Sequence, residues 1–223
     1  MGKFIELKAS DGHKLAAYLA EPSGRARGGV VVIPEVFGVN SHIKAVAEGY
    51  AADGYRAVSP AMFDRAQRNY DTGYSQPEIE AGVAIMQKLD WKQSMLDVEA
   101  AIAEAKKAGK VGIVGYCYGG TVSWVAAARA GGLACSAPYY GGGMPGFIGE
   151  KPKCPTLCHF GEQDQSPTLE QSKAIAAAHP EMTAHFYAGA GHGFNCDQRG
   201  SWNADAAKLA RSRTLEFFRE HLG

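Results

Sequence analysis

The sequence lacks a charge excess: Lys and Arg total 23, and so do Asp and Glu. Without a surplus of one sign there is no field to hold a nucleic-acid backbone or an anionic membrane surface, so neither is expected as a partner. No apolar run approaches the ~20 residues of a membrane span. The opening residues Met1 to Lys8 alternate apolar and polar side chains and contain no signal-peptide core, and Met1-Gly2 is not followed by the Ser or Thr of a myristoylation signal. Five cysteines (Cys117, Cys135, Cys154, Cys158, Cys196) are an odd number without framework spacing, which favours free thiols in a reducing, cytoplasmic setting. Repeats, low-complexity tracts and linkers rich in Pro, Gly or Ser are missing too. Residues 1–223 are therefore expected to form a single domain, with 46% hydrophobic residues to build its core.

What is present is an alternation of short strands and longer helices. Lys3–Lys8 and Lys14–Ala20 read as strands around a turn at Ser10-Asp11-Gly12. Gly29–Pro34, a continuous β-branched run, reads as a strand buried on both faces. Arg56–Pro60, Lys110–Val114, Leu133–Tyr139, Pro155–Phe160 and Thr183–Tyr187 read as further strands. Helices are expected from Ser41, as cap, to about Asp53, and over Glu78–Lys88, Ser94–Lys107, Gly119–Ala130, Leu169–Ala178 and Ala204–His221. Strands joined through helices imply a mostly parallel sheet with helices on both faces, and the opening pair adds an antiparallel edge. Ligands of such sheets bind in loops beyond the carboxyl ends of the strands.

One of those loops is Gly115-Tyr116-Cys117-Tyr118-Gly119, a Gly-x-nucleophile-x-Gly turn with Cys where many hydrolases have Ser. Glycines on either side allow strand and helix to approach around a strained residue, and the helix N-terminus beneath it favours negative charge. A glycine-rich turn holding an inert buried cysteine would share the pattern. A dinucleotide fingerprint would not, because Gly112, Gly115, Gly119 and Gly120 have the wrong spacing, and no P-loop lysine is present.

Two later strand ends supply an acid and then a histidine: Phe160-Gly161-Glu162-Gln163-Asp164, and Gly189-Ala190-Gly191-His192-Gly193-Phe194. His192 can take a thiol proton and return it to a leaving group, with Asp164 fixing its tautomer. Each residue alone has a structural explanation; the order Cys117, Asp164, His192, each after a strand, is the order an α/β-hydrolase needs. His159 and His185 fall within strands and read as packed side chains. Cys154, Cys158 and His159 have no second pair at zinc spacing, so neither a metal nor a cofactor is expected.

Four segments, Ile33-Pro34-Glu35-Val36-Phe37-Gly38-Val39-Asn40, Gly115–Gly120, Gly161–Asp164 and Ala190–Phe194, together resemble the dienelactone hydrolase family, carboxymethylenebutenolidase-like members of the α/β-hydrolase superfamily. The match extends over nearly the whole chain. The resemblance implies an α/β-hydrolase fold and a Cys117–Asp164–His192 triad cleaving a cyclic enol ester through an acyl-thioenzyme. It also implies that Glu35 helps the thiol lose its proton, with Phe37 beside the substrate. A Glu that only braces its loop is the competing reading. Val36 and Tyr118 would supply the backbone N–H groups of an oxyanion hole. The sequence departs from the family in its arginines: Asn195-Cys196-Asp197-Gln198 stands where a substrate-binding arginine belongs, and Arg199 comes only later. Arg65 and Arg68 are the expected substitutes.

The expected substrate is thus a small ester or lactone. An acyltransferase or phosphoester-cleaving enzyme on the same triad is an alternative, as is a redox-responsive or ligand-binding protein without turnover, which would satisfy a reactive Cys117 but would not need Asp164 and His192.

Overall fold

A computed structural model describes residues 2–223. One eight-stranded sheet runs through it, comprising β1 (Lys3–Lys8), β2 (Lys14–Ala20), β3 (Gly29–Ile33), β4 (Arg56–Pro60), β5 (Val111–Tyr116), β6 (Leu133–Tyr139), β7 (Leu157–Gly161) and β8 (Thr183–Tyr187), in the order β1-β2-β4-β3-β5-β6-β7-β8. β2 pairs antiparallel with both β1 and β4, and every pairing from β4 to β8 is parallel. This is the mostly parallel sheet with an antiparallel N-terminal edge that the strand spacing implies.

The helices are α1 (Ser41–Ala52), α2 (Gln76–Met86), α3 (Trp91–Ala105), α4 (Tyr118–Arg129), α5 (Leu169–Ala178) and α6 (Ala204–Leu222). Several begin earlier than apolar periodicity suggests, because polar caps set the start. Asn40, and not Ser41, caps α1 by accepting from the Ile43 N–H at 3.2 Å. Ser75 and Glu78 form a reciprocal capping box for α2, and Asp90 accepts from the Gln93 N–H at 2.9 Å to start α3. Among the described residues no helix is long and apolar enough to cross a membrane.

β3 shows how the core divides. Its residues alternate across the sheet: Val31 and Ile33 join α3 and α4 on one face, Val30 and Val32 join α1 and α6 on the other, and all four are fully buried. α4 lies tight against the sheet. A Cβ on Gly119 would sit 2.3 Å from the Ile33 carbonyl oxygen, and one on Gly120 would sit 2.2 Å from that of Tyr139. Backbone meets backbone there, so the glycines are required by space.

The glycine contacts predict a contrast in stability. Gly119→Ala should lower unfolding free energy by about 3 kcal/mol, because backbone cannot move aside as a flexible side chain would. Gly131→Ala, where an added Cβ meets nothing within 4 Å, should stay within ~0.5 kcal/mol of the parent. Urea denaturation checks this; equal midpoints for the two variants would contradict it.

Candidate active site

Parallel strands bring their carboxyl ends to one edge, and four loops converge there: after β3 (Glu35, Val36, Phe37), β5 (Cys117), β7 (Asp164) and β8 (His192). Cys117 connects β5 directly to α4 with φ 56° and ψ −116°, a left-handed conformation that a non-glycine side chain resists. Such a residue costs on the order of 1–3 kcal/mol, and surrounding structure must hold it. Here the Cys117 N–H donates to Tyr139 O at 3.1 Å while its carbonyl accepts from the Thr121 N–H at 3.2 Å. The turn pushes the thiol into the cavity instead of the core, and Cys117 alone among the cysteines lines it.

Asp164 is 3% exposed. Its Oδ1 accepts from the Ser166 N–H at 2.7 Å, and its Oδ2 accepts from His192 Nδ1 at 3.0 Å. An ionised carboxylate only accepts, so Nδ1 carries a proton and Nε2 is left for the pocket. Burial pushes the His192 pKa down, but the negative charge of a Cys117 thiolate and the hydrogen bond that the ring donates to Asp164 outweigh it, and the net shift is upward. Imidazolium is therefore favoured whenever the thiol ionises.

Glu35, 1% exposed, accepts from Arg199 Nη1 at 2.9 Å through Oε1. Burial pulls the Arg199 pKa down, yet the charges of Glu35 and Cys117 more than restore it. The guanidinium also stands over the Phe37 ring, 5.5 Å from its centroid. Arg199 thus brings a fixed positive charge to a cavity of about 430 Å³ whose walls are otherwise mainly apolar, with Ile79, Val83 and Met86 from α2 and Trp91 from α3. Val36 and Tyr118 line the same cavity, and the Tyr118 N–H, in the first turn of α4, has no carbonyl one turn back to bond. A thiol and an oriented imidazole around one cavity are suited to nucleophilic attack on a carbonyl.

The structure corrects the arginine expectation. Arg65 binds Asp97 through Nε at 2.7 Å and Nη2 at 2.8 Å, and reaches Asp11 at 2.8 Å. Asp97 is 1% exposed on α3, so its carboxylate needs a cation, and Arg65 is consumed in supplying one. Arg68 donates to the Lys14 carbonyl. Neither lines the cavity; Arg199 does. The chain after His192 folds back on itself, with Arg199 N–H donating to Cys196 O at 3.1 Å and Asn203 N–H to Phe194 O at 3.0 Å. Gly193, at φ 77°, leaves room for the guanidinium, which a Cβ would meet at 2.4 Å. Counting residues from His192 therefore hid the arginine. The signals available were a basic residue in the same loop and the apolar stripe Ile79, Val83, Met86 at helical spacing. His159 is packed as expected: Nδ1 meets the Tyr187 hydroxyl at 2.7 Å and Nε2 the Thr214 hydroxyl at 2.9 Å.

The model of the dienelactone hydrolase family matches residues 15–222. The carboxymethylenebutenolidase of Pseudomonas putida is 31% identical, over 96% of this chain and 94% of its own. A Synechocystis sp. protein is 34% identical over 94% of this chain and 93% of its own. The crystal structure of dienelactone hydrolase from Anabaena variabilis has the same α/β-hydrolase fold, with a TM-score of 0.73 at 19% identity, covering 100% of this chain and 99% of that one.

Thiol environments predict selective alkylation. Burial pushes Cys154 up to about 11, burial and the nearby Glu35 carboxylate do the same to Cys196, and burial drives Cys135 and Cys158 higher still. Iodoacetamide at neutral pH should therefore modify Cys117 first, with loss of hydrolytic activity in proportion. Peptide mapping that finds another cysteine modified first, with activity intact, would contradict this.

Proposed function

The chain belongs to the dienelactone hydrolase family and is a hydrolase, and from that premise we propose that it cleaves a lactone or carboxylic ester through a Cys117 acyl-thioenzyme. The observation that carries the proposal is the strained Cys117 at the head of α4, sharing a cavity with His192, whose ring Asp164 orients. A thiol kept only for packing needs neither the strained turn nor the oriented imidazole.

In this reading the Cys117 thiol proton passes to His192, by way of Glu35 when a substrate frees that carboxylate, and the sulfur attacks the carbonyl carbon. The tetrahedral oxyanion is held by the N–H groups of Val36 and Tyr118. As the intermediate collapses, imidazolium at His192 protonates the departing alkoxide, which in a lactone stays tethered to the acyl group. Water, deprotonated by His192, then attacks the thioester, and Cys117 leaves with its electron pair. The hydrogen bond to Asp164, one of the causes that raise the His192 pKa, persists through the middle step, when an acid must be present as the alkoxide departs.

Glu35 and Arg199 add selectivity. The resemblance assigns Glu35 to thiol deprotonation, and its ion pair with Arg199 gives a reason for that to depend on substrate. A substrate carboxylate reaching Arg199 competes with Glu35 for the guanidinium and frees the glutamate to accept a proton. Arg199 thus fills the place first sought in Arg65 and Arg68, and Phe37 forms the wall beneath it. The preferred substrate is then a small lactone or ester bearing a carboxylate.

Kinetics on paired substrates test this. Cys117→Ala and His192→Ala should each lower kcat/KM by about 10⁴-fold or more while remaining folded, since triad members act as a unit. Asp164→Asn should lose less than either. Arg199→Ala should raise KM for a carboxylate-bearing lactone about tenfold or more and leave a neutral ester of similar size within roughly threefold, one lost charge-assisted contact being worth ~1.5–3 kcal/mol. Full turnover by Cys117→Ala would end the covalent reading. Equal effects of Arg199→Ala on both substrates would end the carboxylate reading alone.

A further inference from the structure

Glu35 has a second oxygen that Arg199 does not take. A Glu35 carboxylate oxygen, a His42 ring nitrogen and Cys196 Sγ lie within 4.8 Å of one another, from the β3–α1 loop, the second residue of α1 and the loop before α6. All three side chains are buried, at 1%, 4% and 0% exposure. Glu35 Oε2 and His42 Nε2 are both shielded from solvent and without a hydrogen-bond partner. Leaving such atoms unpaired costs about 1–3 kcal/mol each.

The histidine tautomer sharpens the problem. His42 Nδ1 lies 2.9 Å from Asp197 Oδ1, and a carboxylate only accepts, so Nδ1 carries the ring proton. In the neutral ring, Nε2 then presents a lone pair to a space already holding a carboxylate oxygen and a sulfur. Three electron-pair donors share the space, and the Cys196 thiol, a weak donor, has a single proton to offer the other two. A cation would satisfy all three. A sulfur, an imidazole nitrogen and a carboxylate oxygen are the ligand types of zinc, whereas Ca²⁺ and Mg²⁺ require oxygens. A metal-bound histidine ordinarily donates its other N–H to a carboxylate, which is what His42 does to Asp197.

We propose that Glu35 Oε2, His42 Nε2 and Cys196 Sγ form a Zn²⁺ site behind the substrate cavity, with water completing the coordination. Binding exchanges the Cys196 S–H bond for Zn–S and releases that proton to solvent; the thiolate and the Glu35 carboxylate balance the metal's charge. Tetrahedral bonds of about 2.0–2.3 Å require the donors to close by roughly an ångström. The Tyr74 hydroxyl, which accepts from Asn40 Nδ2 at 2.9 Å, keeps its own proton for the sulfur. Zinc at this site holds Glu35 in place, so it also slows turnover reversibly; that consequence rests on the role proposed for Glu35, and the binding itself does not.

The test uses the whole protein with Co²⁺ as spectroscopic probe and Zn²⁺ in competition with a chromophoric chelator. Zinc could also meet Cys117 and His192, so binding is measured in Cys117→Ala. That variant should take up one equivalent of metal per chain and show thiolate-to-cobalt charge-transfer absorption. Adding Cys196→Ser should abolish the band and weaken zinc binding by about 100-fold or more. Asp197→Asn, at a side chain 63% exposed and so harmless to the fold, should weaken it by about 10–100-fold. Zinc should also slow the parent enzyme, with recovery on chelation. The site is overturned if Cys117→Ala binds neither metal at millimolar concentration, or if binding survives both Cys196→Ser and Asp197→Asn. Cys196-dependent binding with parent turnover unaffected would uphold the site and remove Glu35 from the proposed reaction.

Discussion

The closeness of α4 to the central strands is the constraint on which the rest of the site depends. Gly115, Gly119 and Gly120 let the helix backbone touch the carbonyls of β3 and β6 and its own entry turn, where any Cβ would collide. Only because the helix starts so close does the chain have to reverse through one residue, and that residue, Cys117, takes the positive φ. Sequence thus sets packing, packing sets a strained turn, and the turn aims a sulfur at the cavity. The same geometry sets the helix N-terminus under the thiol, where partial positive charge favours a thiolate and then an oxyanion. Nothing in this chain of causes requires the neighbouring loops; they bring the other reactants.

Those loops bring charge into an apolar enclosure. Asp164, Glu35 and Arg199 are each largely buried, and each has a partner: His192 for the first, and one another for the other two. Buried ions without partners cost free energy, so the pairs support the fold as well as shaping the cavity. The Glu35–Arg199 pair differs from the His192–Asp164 pair in having one oxygen uncommitted. It is the more easily rearranged of the two, and rearrangement is what a substrate anion or a metal would bring about.

The sequence carried the succession of strands, the mostly parallel sheet with its antiparallel edge, and the three candidate residues Cys117, Asp164 and His192, each of which follows a strand whose end is marked by glycine. Parallel strands then bring such residues together regardless of their separation along the chain. Helix starts were less legible: Asn40, Ser75 and Asp90 act through single hydrogen bonds that hydrophobic periodicity does not register. Arg65 and Arg199 illustrate the limit best. Both lie in loops, where position along the chain does not give direction, and their directions are set by buried carboxylates: Asp97 holds one away from the cavity and Glu35 holds the other within it. The cluster of Glu35, His42 and Cys196 was invisible for the same reason, Cys196 lying far along the chain from the other two.

The claim that most needs testing is the covalent intermediate on Cys117. Mixing the enzyme with a slowly deacylated ester and quenching in acid within one turnover should add the mass of the acyl group to the intact protein. Peptide mapping should place it on Cys117 as a thioester that hydroxylamine removes. Turnover without any such adduct, or an adduct on another side chain whose formation matches the rate of turnover, would contradict the account.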